Sequence, residues 1–349
     1  MGLEGRLGSG NRVKPVKLRG QLSQGLCYPA REGWVEGQDV GLELGVEKWT
    51  PEVPKVLAGN VYHLGEEFTV AFDIENVKKF PGVLIEGEEV KMTEKVHGTF
   101  VQFILVPRAM LSPSPDKLPP GWFLRRPIGD IAVDLLGMCV APGPDFGSAV
   151  FGLTEREVCE KAWGLFSQSK WLFAVSSKGV GAKGNVLKAE DPANAGNLYL
   201  KAAETLDMQA RMVAVFGDNE CLVTVCGELY GTGVQDLHYG AKDAPEFRIF
   251  DIYLGTRGRG RYLNSAELEA ACAALDLKHV PVLYQGPFSR AKMLELTDGK
   301  ETISGQSKHL REGIVVGPVN ERRDSQAGRV KFKSVSADYL TRKGGTEHN

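Results

Sequence analysis

The 349-residue chain has no run of eighteen or more apolar residues, so no segment reads as a membrane-spanning helix. Its first residues, MGLEGRLGSGNRVK, lack the apolar stretch of a secretory signal. The six cysteines form no C-x-x-C pair and the six histidines no H-x-x-x-H spacing, which excludes the usual zinc sites and a disulfide scaffold. Cys221 and Cys226 come closest, but their odd offset in a strand points them to opposite faces. An excess of charge of one sign is missing too. The 42 lysines and arginines nearly balance 44 acidic residues, for a net charge of −2. A uniformly basic nucleic-acid coat is thereby excluded, and any phosphate site must be local. No internal repeat is present. These absences fit a soluble cytoplasmic protein with reduced thiols, no membrane partner and no evident obligate protein partner.

Length allows two domains, or one large domain with a small companion. The sequence divides into an N-terminal β segment and connector over residues 1–50 and a larger domain over 51–349. Residues 11–30, NRVKPVKLRGQLSQGLCYPA, alternate like strands with a turn at Arg19-Gly20. Trp34 to Gly59 is rich in Pro, Gly and Glu and reads as a connector. A β-rich stretch follows from Val90 to Pro107. The proline-rich segment within 106–152 excludes a long helix or central strand and reads as an insertion. Thr154-x-x-Glu157 opens LTEREVCEKAWGLF as a capping box, which predicts a helix over 153–166. One long amphipathic helix is expected within DPANAGNLYLKAAETLDMQARMVAVFG and another in SAELEAACAALDL. Strands are expected in CLVTVCGELYG, EFRIFDIYLG, REGIVVGP and GRVKFKSVS. Strands and helices interspersed in this irregular order indicate an α+β fold.

Gly179, Gly181 and Gly184 satisfy G-x-G-x-x-G after the apolar WLFAV. A dinucleotide fingerprint needs its last glycine to open a helix, and here Asn185 and Pro192 interrupt one. Ser176, Ser177, Lys178 and Lys183 nonetheless give the loop a composition suited to phosphate contact.

The stretch TEKVHGTFVQF, residues 93–103, sets Lys95, His97 and Gly98 at the end of a strand. Taken alone, this reads as a solvated strand end, and its surroundings must decide. Other strands also carry charge where apolar residues are the rule: Glu228 in CGELYG, Phe250-Asp251 in RIFDIYL, Glu312 in REGIVV, and Lys331 and Lys333 in VKFKS. The last two share a strand face while Phe332 points away. Two ammonium groups on a cleft-facing surface call for an anion, and phosphate is the obvious one.

The order Lys95, Glu228, Phe250-Asp251, Glu312, Lys331-x-Lys333 resembles the covalent nucleotidyltransferase superfamily of polynucleotide ligases and capping enzymes. There the motifs are K-x-[DH]-G, G-E-x-x-G, an aromatic before an acid, E-G-[IV]-[VI]-[VI] and K-x-K. They span about residues 90 to 340. EKVHGT looks most like the RNA ligases, with histidine as in RNA-editing and Deinococcus-type enzymes. KLRGQLSQGL, GVQDLHYG and KFKSVSADYL are similar to the Deinococcus type. Phe100 departs from the editing ligases, which have asparagine there, and little of the expected OB-like N-terminal module is present.

The resemblance implies an adenylylation domain of antiparallel sheets flanked by helices, with a short remnant of an OB-like module. It implies that Lys95 attacks the α-phosphate of ATP to form lysyl-AMP. The AMP then passes to a 5′-phosphate, and an RNA 3′-hydroxyl displaces it, at free RNA ends or in a nicked duplex. Lys331 and Lys333 would neutralise phosphate and, with it, favour the unprotonated lysine. Glu228 would hold the ribose or a metal-bound water, Glu312 the Mg²⁺ or Mn²⁺ ion, and Phe250 would stack on adenine. Gly98 would admit the nucleotide, His97 would orient the loop, Lys178 would touch phosphate, and backbone atoms of Glu94 and Val96 would read the base. A DNA ligase or a GTP-using capping enzyme is the alternative within the superfamily. A non-catalytic RNA-binding relative is the alternative of another class.

Overall fold

The computed structural model describes residues 16–18, 21–23, 29–38, 40–41, 43–45, 61–111, 122–123, 126–127, 170–189, 191–218 and 221–340. Two compact units divide the chain, Met1–Pro54 and Lys55–Asn349. In the first, Val16–Leu18 pairs antiparallel with Gln21–Ser23, the two strands flanking the Arg19-Gly20 turn position. The helix expected over 153–166 and most of the 106–152 segment lie outside the described residues.

Two five-stranded sheets build the second unit. Among its strands are β1 (Val61–His63), β2 (Glu75–Asn76), β3 (Glu89–Lys95), β4 (Thr99–Pro107), β5 (Trp171–Ser177), β6 (Asn185–Leu187), β7 (Val223–Tyr230), β8 (Glu246–Leu254), β9 (Arg261–Tyr262), β10 (Val282–Pro287), β11 (Gly313–Pro318) and β12 (Phe332–Val335). One sheet runs β9-β8-β7-β4-β5 and the other β10-β3-β11-β12-β2. Their ladders are antiparallel except for the β12–β2 pair.

The two-residue period of β4 decides what each face meets. Val101, Phe103 and Leu105 pack against the helices Met208–Phe216 and Ser265–Ala274, with Met208, Met212, Phe216 and Leu268 in the same cluster. Ile104 and Val106 turn to the opposite face and meet Leu64, Phe68 and Val186. In the second sheet Val90, Met92, Ile314, Val316 and Phe332 form the apolar face against Met293 of the helix Arg290–Thr297. The other face of that sheet is therefore free to carry Lys91, Thr93, Lys95 and Lys333.

Three elements differ from expectation. The single long amphipathic helix is two, Leu198–Thr205 and Met208–Phe216, broken at Asp207, whose φ of 47° is left-handed. The strand expected in GRVKFKSVS is two pieces, Gly328–Arg329 and Phe332–Val335. The glycine loop after β5 contains a single helical turn, Lys178–Ala182, which ends at Gly184 with a φ of 74° and returns as β6. No helix opens from its last glycine, so the dinucleotide reading fails on backbone geometry. The helix Ser265–Ala274 begins with a reciprocal capping box between Asn264 and Glu267.

Candidate active site

A cavity of about 360 Å³ lies between the two sheets, a volume suited to a small ligand. Of the residues singled out in the sequence, Glu94, Lys95, Val96, Gly98, Lys178, Glu228, Phe250, Lys331 and Lys333 line it. His97 and Glu312 do not line it and sit buried behind Lys95.

Lys95 is the last residue of β3, opposite Gly313 of β11. Its Nζ forms an ion pair with Glu312 Oε1; the lysine side chain is 23% exposed and the glutamate 3%. Lys333 shares a cross-strand row with Val315 and Thr93, one step along the sheet. Lys331 precedes β12 on the same face, while Phe332 is buried on the other. Lys91, two rows from Lys95, also lines the cavity and is ion-paired with Glu269.

The facing sheet supplies Glu228, Phe250 and Asp251. A β-bulge explains how two consecutive residues, an aromatic and an acid, both reach the cavity. Cys226 pairs with Asp251 and Gly227 with Ile249, so Phe250 has no partner across the ladder. Ile249 and Ile252 on either side still reach the apolar core. Gly227 is required there, because a Cβ on it would lie 2.2 Å from the Phe247 ring. Phe250 packs against Phe72 and Phe100, with ring centroids 4.9 and 5.9 Å away.

Burial pushes Glu228 up to about 8, against the pull of the Lys95 and Lys178 ammonium groups, and Glu312 nearby adds to the rise. Burial alone would raise Asp251 as well. Arg329 and Lys331 overcome it and hold the carboxyl below its ordinary value. Arg329 donates to both Asp251 oxygens, at 2.8 and 3.0 Å, and Lys331 Nζ donates to Oδ1 at 2.8 Å. Burial pulls Lys331 below the ordinary lysine value despite this partner.

The side chains around the cavity are held in different ways. Gly98 is fixed by packing: a Cβ there would sit 2.1 Å from the Leu229 carbonyl oxygen. Glu94 turns its buried carboxylate away from the cavity, accepting from Thr302 N and Oγ1 at 2.9 and 2.6 Å, so it borders the cavity through its backbone. Burial raises its pKa. Ser176 is buried and donates to the Asn185 carbonyl at 2.8 Å, which removes it from phosphate contact. Lys178 stays exposed at the rim, 3.1 Å from Asp73 Oδ1. Arg257 is an internal clamp, donating to the Thr69, Gly181 and Ala182 carbonyls. Arg322 is paired with Glu88, whereas Arg259 and Arg323 are exposed.

Sequence reasoning assigned no role to Arg329, Glu321, Lys91, Gln235, Asp236, Tyr239 or Tyr339. Gln235, Asp236, Tyr239 and Tyr339 are distant in sequence from His97 and Gly98, which they contact. The available signal was a buried acid, Asp251, that needs a cation, and a polar run, VQDLHY, directly after the Glu228 strand.

Among the described residues no cluster of three or more His, Cys, Asp or Glu is disposed to hold a metal on its own. Glu228 and Glu312 are two carboxylates beside the same lysine. Magnesium-like ions commonly bind one or two carboxylates and complete their shell with water and substrate phosphate, and this donor set fits that pattern.

Such a cavity, with lysines on one wall and an aromatic and acids on the other, is built to hold an anionic, ring-bearing ligand beside a lysine amine. The RNA ligase family model matches residues 88–335, more than half of the chain, and the chain belongs to that family. Two mutant forms of the Naegleria gruberi RNA ligase, one with AMP and Mn and one apo, align with a TM-score of 0.50 at 20% identity over 97% of this chain and 80% of theirs. At that identity the likeness concerns the fold, a mixed one with several antiparallel sheets. No curated protein sequence matches. No helix among the described residues is long and apolar enough to cross a membrane.

Proposed function

We propose that this chain is an ATP-dependent RNA ligase of the covalent nucleotidyltransferase type, joining an RNA 3′-hydroxyl to a 5′-phosphate through lysyl-AMP on Lys95. The observation that carries the reading is the convergence of Lys95, Lys331 and Lys333 on one cavity with Phe250 on its opposite wall. A structural core has no use for three ammonium groups on one buried face, whereas a nucleotide phosphate does.

In the first step Lys95 Nζ attacks the α-phosphorus of ATP. The N–P bond forms, the bond to the bridging oxygen of the β-phosphate breaks, pyrophosphate leaves, and the amine proton passes to solvent or a nearby base. A 5′-phosphate oxygen then attacks the same phosphorus and releases the lysine. Finally the 3′-hydroxyl attacks the activated 5′-phosphate and AMP departs. Lys331 and Lys333 offset the charge gathering on phosphate, an arrangement worth most where water is excluded. Phe250 offers a ring face to the adenine, and the backbone of Glu94 and Val96 borders the base edge. Glu228 and Glu312 would hold Mg²⁺ or Mn²⁺ together with phosphate oxygens, and such an ion supplies charge neutralisation at the reacting phosphate. AMP and Mn are the ligands named for one of the similar Naegleria structures.

Within the family, KLRGQLSQGL, GVQDLHYG and KFKSVSADYL favour kinship with the Deinococcus type. The Val16–Leu18 and Gln21–Ser23 pair is then a remnant of an OB-like module, residues 51–349 form the adenylylation domain, and the enzyme works in the cytoplasm. The test is incubation with α-labelled ATP and Mg²⁺, followed by denaturing electrophoresis. Label bound to protein supports the reading, and discharge of that label by 5′-phosphorylated RNA extends it to ligation. A protein that binds RNA and takes no label is instead the non-catalytic relative.

A further inference from the structure

His97 lies two residues beyond Lys95, and its ring points away from the cavity into a buried polar pocket of its own. Nε2 lies 2.7 Å from Asp236 Oδ1, and Nδ1 lies 2.6 Å from the Tyr339 hydroxyl. The backbone N–H of His97 donates to the Tyr239 hydroxyl at 2.9 Å, and the Gly98 carbonyl accepts from Gln235 Nε2 at 2.9 Å. Four side chains thus hold two consecutive residues of one turn. Glu312 Oε2, on the partner of Lys95, is 4.0 Å from His97 Nδ1.

None of these four side chains belongs to the motifs that carry the chemistry. Gln235, Asp236 and Tyr239 come from the loop after β7. Tyr339 comes from the short helix Ala337–Leu340, six positions beyond Lys333, and is fully buried. Tyr239 has a φ of 49°, a left-handed conformation costly for an aromatic residue. Strain of that kind persists where surrounding contacts over-determine it, and here the strained residue is the one whose hydroxyl meets the His97 N–H.

We propose that Asp236 and Tyr339 are positioning residues for the nucleophile: by engaging both ring nitrogens of His97 they fix the turn that aims Lys95 at the reacting phosphate. Lys95 is the last residue that the β3–β11 ladder pairs, so beyond it the end of the strand is held by the contacts of residues 96–98. Val96 is anchored in the same cluster as Tyr239 and Tyr339. Turning the ring would strand buried polar groups without partners. A nucleophile displaced by about 1 Å loses on the order of a hundredfold in rate. The inference rests on the adenylylation reading and names how this chain secures it.

The test measures single-turnover lysyl-AMP formation over a range of ATP concentrations for wild type, Tyr339→Phe, Asp236→Ala and Asp236→Asn, with thermal melts alongside. Asp236→Asn keeps an acceptor oxygen for Nε2 and discards the charge. The expected result is a drop of about tenfold or more in the maximal rate for Tyr339→Phe and Asp236→Ala, an ATP concentration dependence close to wild type, and recovery of most of the rate in Asp236→Asn. Should Tyr339→Phe fail to fold, the two Asp236 variants decide alone. A folded Tyr339→Phe or Asp236→Ala protein at the wild-type rate overturns the inference. So does a loss confined to ATP affinity, or an asparagine variant as slow as alanine. A wild-type protein that forms no lysyl-AMP overturns the functional reading, and the inference falls with it; normal wild-type labelling with unaffected variants overturns the inference alone.

Discussion

Asp251 and Arg329 form a two-pronged ion pair at the cavity wall, the acid 1% exposed and the arginine 14%. Lys331 shares one of the acid's oxygens, and Arg329 also stacks over the Tyr262 ring, 3.4 Å from its centroid. Removing Asp251 leaves two buried cations without their shared counter-charge. Asp251→Ala is therefore expected to cost about 3–5 kcal/mol in urea unfolding. The pH dependence has a definite sign. Asp251 has a folded-state pKa below its ordinary 3.8, so its contribution is complete above that value and is lost as pH falls through the lower folded value. The stability gap between wild type and Asp251→Asn should shrink as pH is lowered from 5 toward the acid limit of folding. A gap that stays constant contradicts the pairing.

Gly98 gives a second test. Its missing Cβ leaves room for the Leu229 carbonyl, part of the strand that presents Glu228. Gly98→Ala is expected to lower the melting temperature and to slow lysyl-AMP formation by about a hundredfold, since the turn and the strand cannot both keep their places. Normal labelling by this variant would mean that the close approach is not needed.

The lysine pair and the exposed arginines separate by step. Lys333→Ala should fold normally and lose on the order of a hundredfold in lysyl-AMP formation without RNA present. Lys331→Ala should show the same loss together with altered stability, because its ammonium group is tied to Asp251. Arg259→Ala should leave lysyl-AMP formation intact and, if this loop touches RNA, weaken sealing and flatten its salt dependence. Both lysine variants labelling at the wild-type rate and failing only in sealing would reverse these roles.

The charged strand positions were legible in the sequence because a strand's two-residue period tells which neighbours share a face. Lys331 and Lys333 line the cavity and Phe332 does not. Element types near the site followed from the same kind of periodicity. The break at Asp207 was hidden because both flanking segments keep their apolar spacing, and a left-handed aspartate leaves no mark on that pattern. The bulge at Phe250 was equally hidden: an aromatic followed by an acid reads as two opposite faces until the ladder shows an unpaired residue. Residues that act through others, such as Asp236 and Tyr339, become visible only when the chain brings positions 97, 236 and 339 together.

Nucleotide choice should rest on backbone. On the proposed reading, ring stacking on Phe250 would be indifferent to the base, and discrimination would fall to hydrogen bonds at the base edge from the backbone of Glu94 and Val96. ATP is expected to be preferred over GTP by at least about tenfold, about 1.4 kcal/mol. Competition labelling measures it, and equal labelling by the two nucleotides would move the reading toward a capping-type enzyme.

The most direct measurement is peptide mass spectrometry of the protein after incubation with ATP and Mg²⁺. The expected result is one added AMP on the peptide containing Lys95, absent from a Lys95→Ala protein that melts like wild type. AMP found on another residue, or retained in the Lys95→Ala protein, would contradict the assignment of Lys95 as the nucleophile.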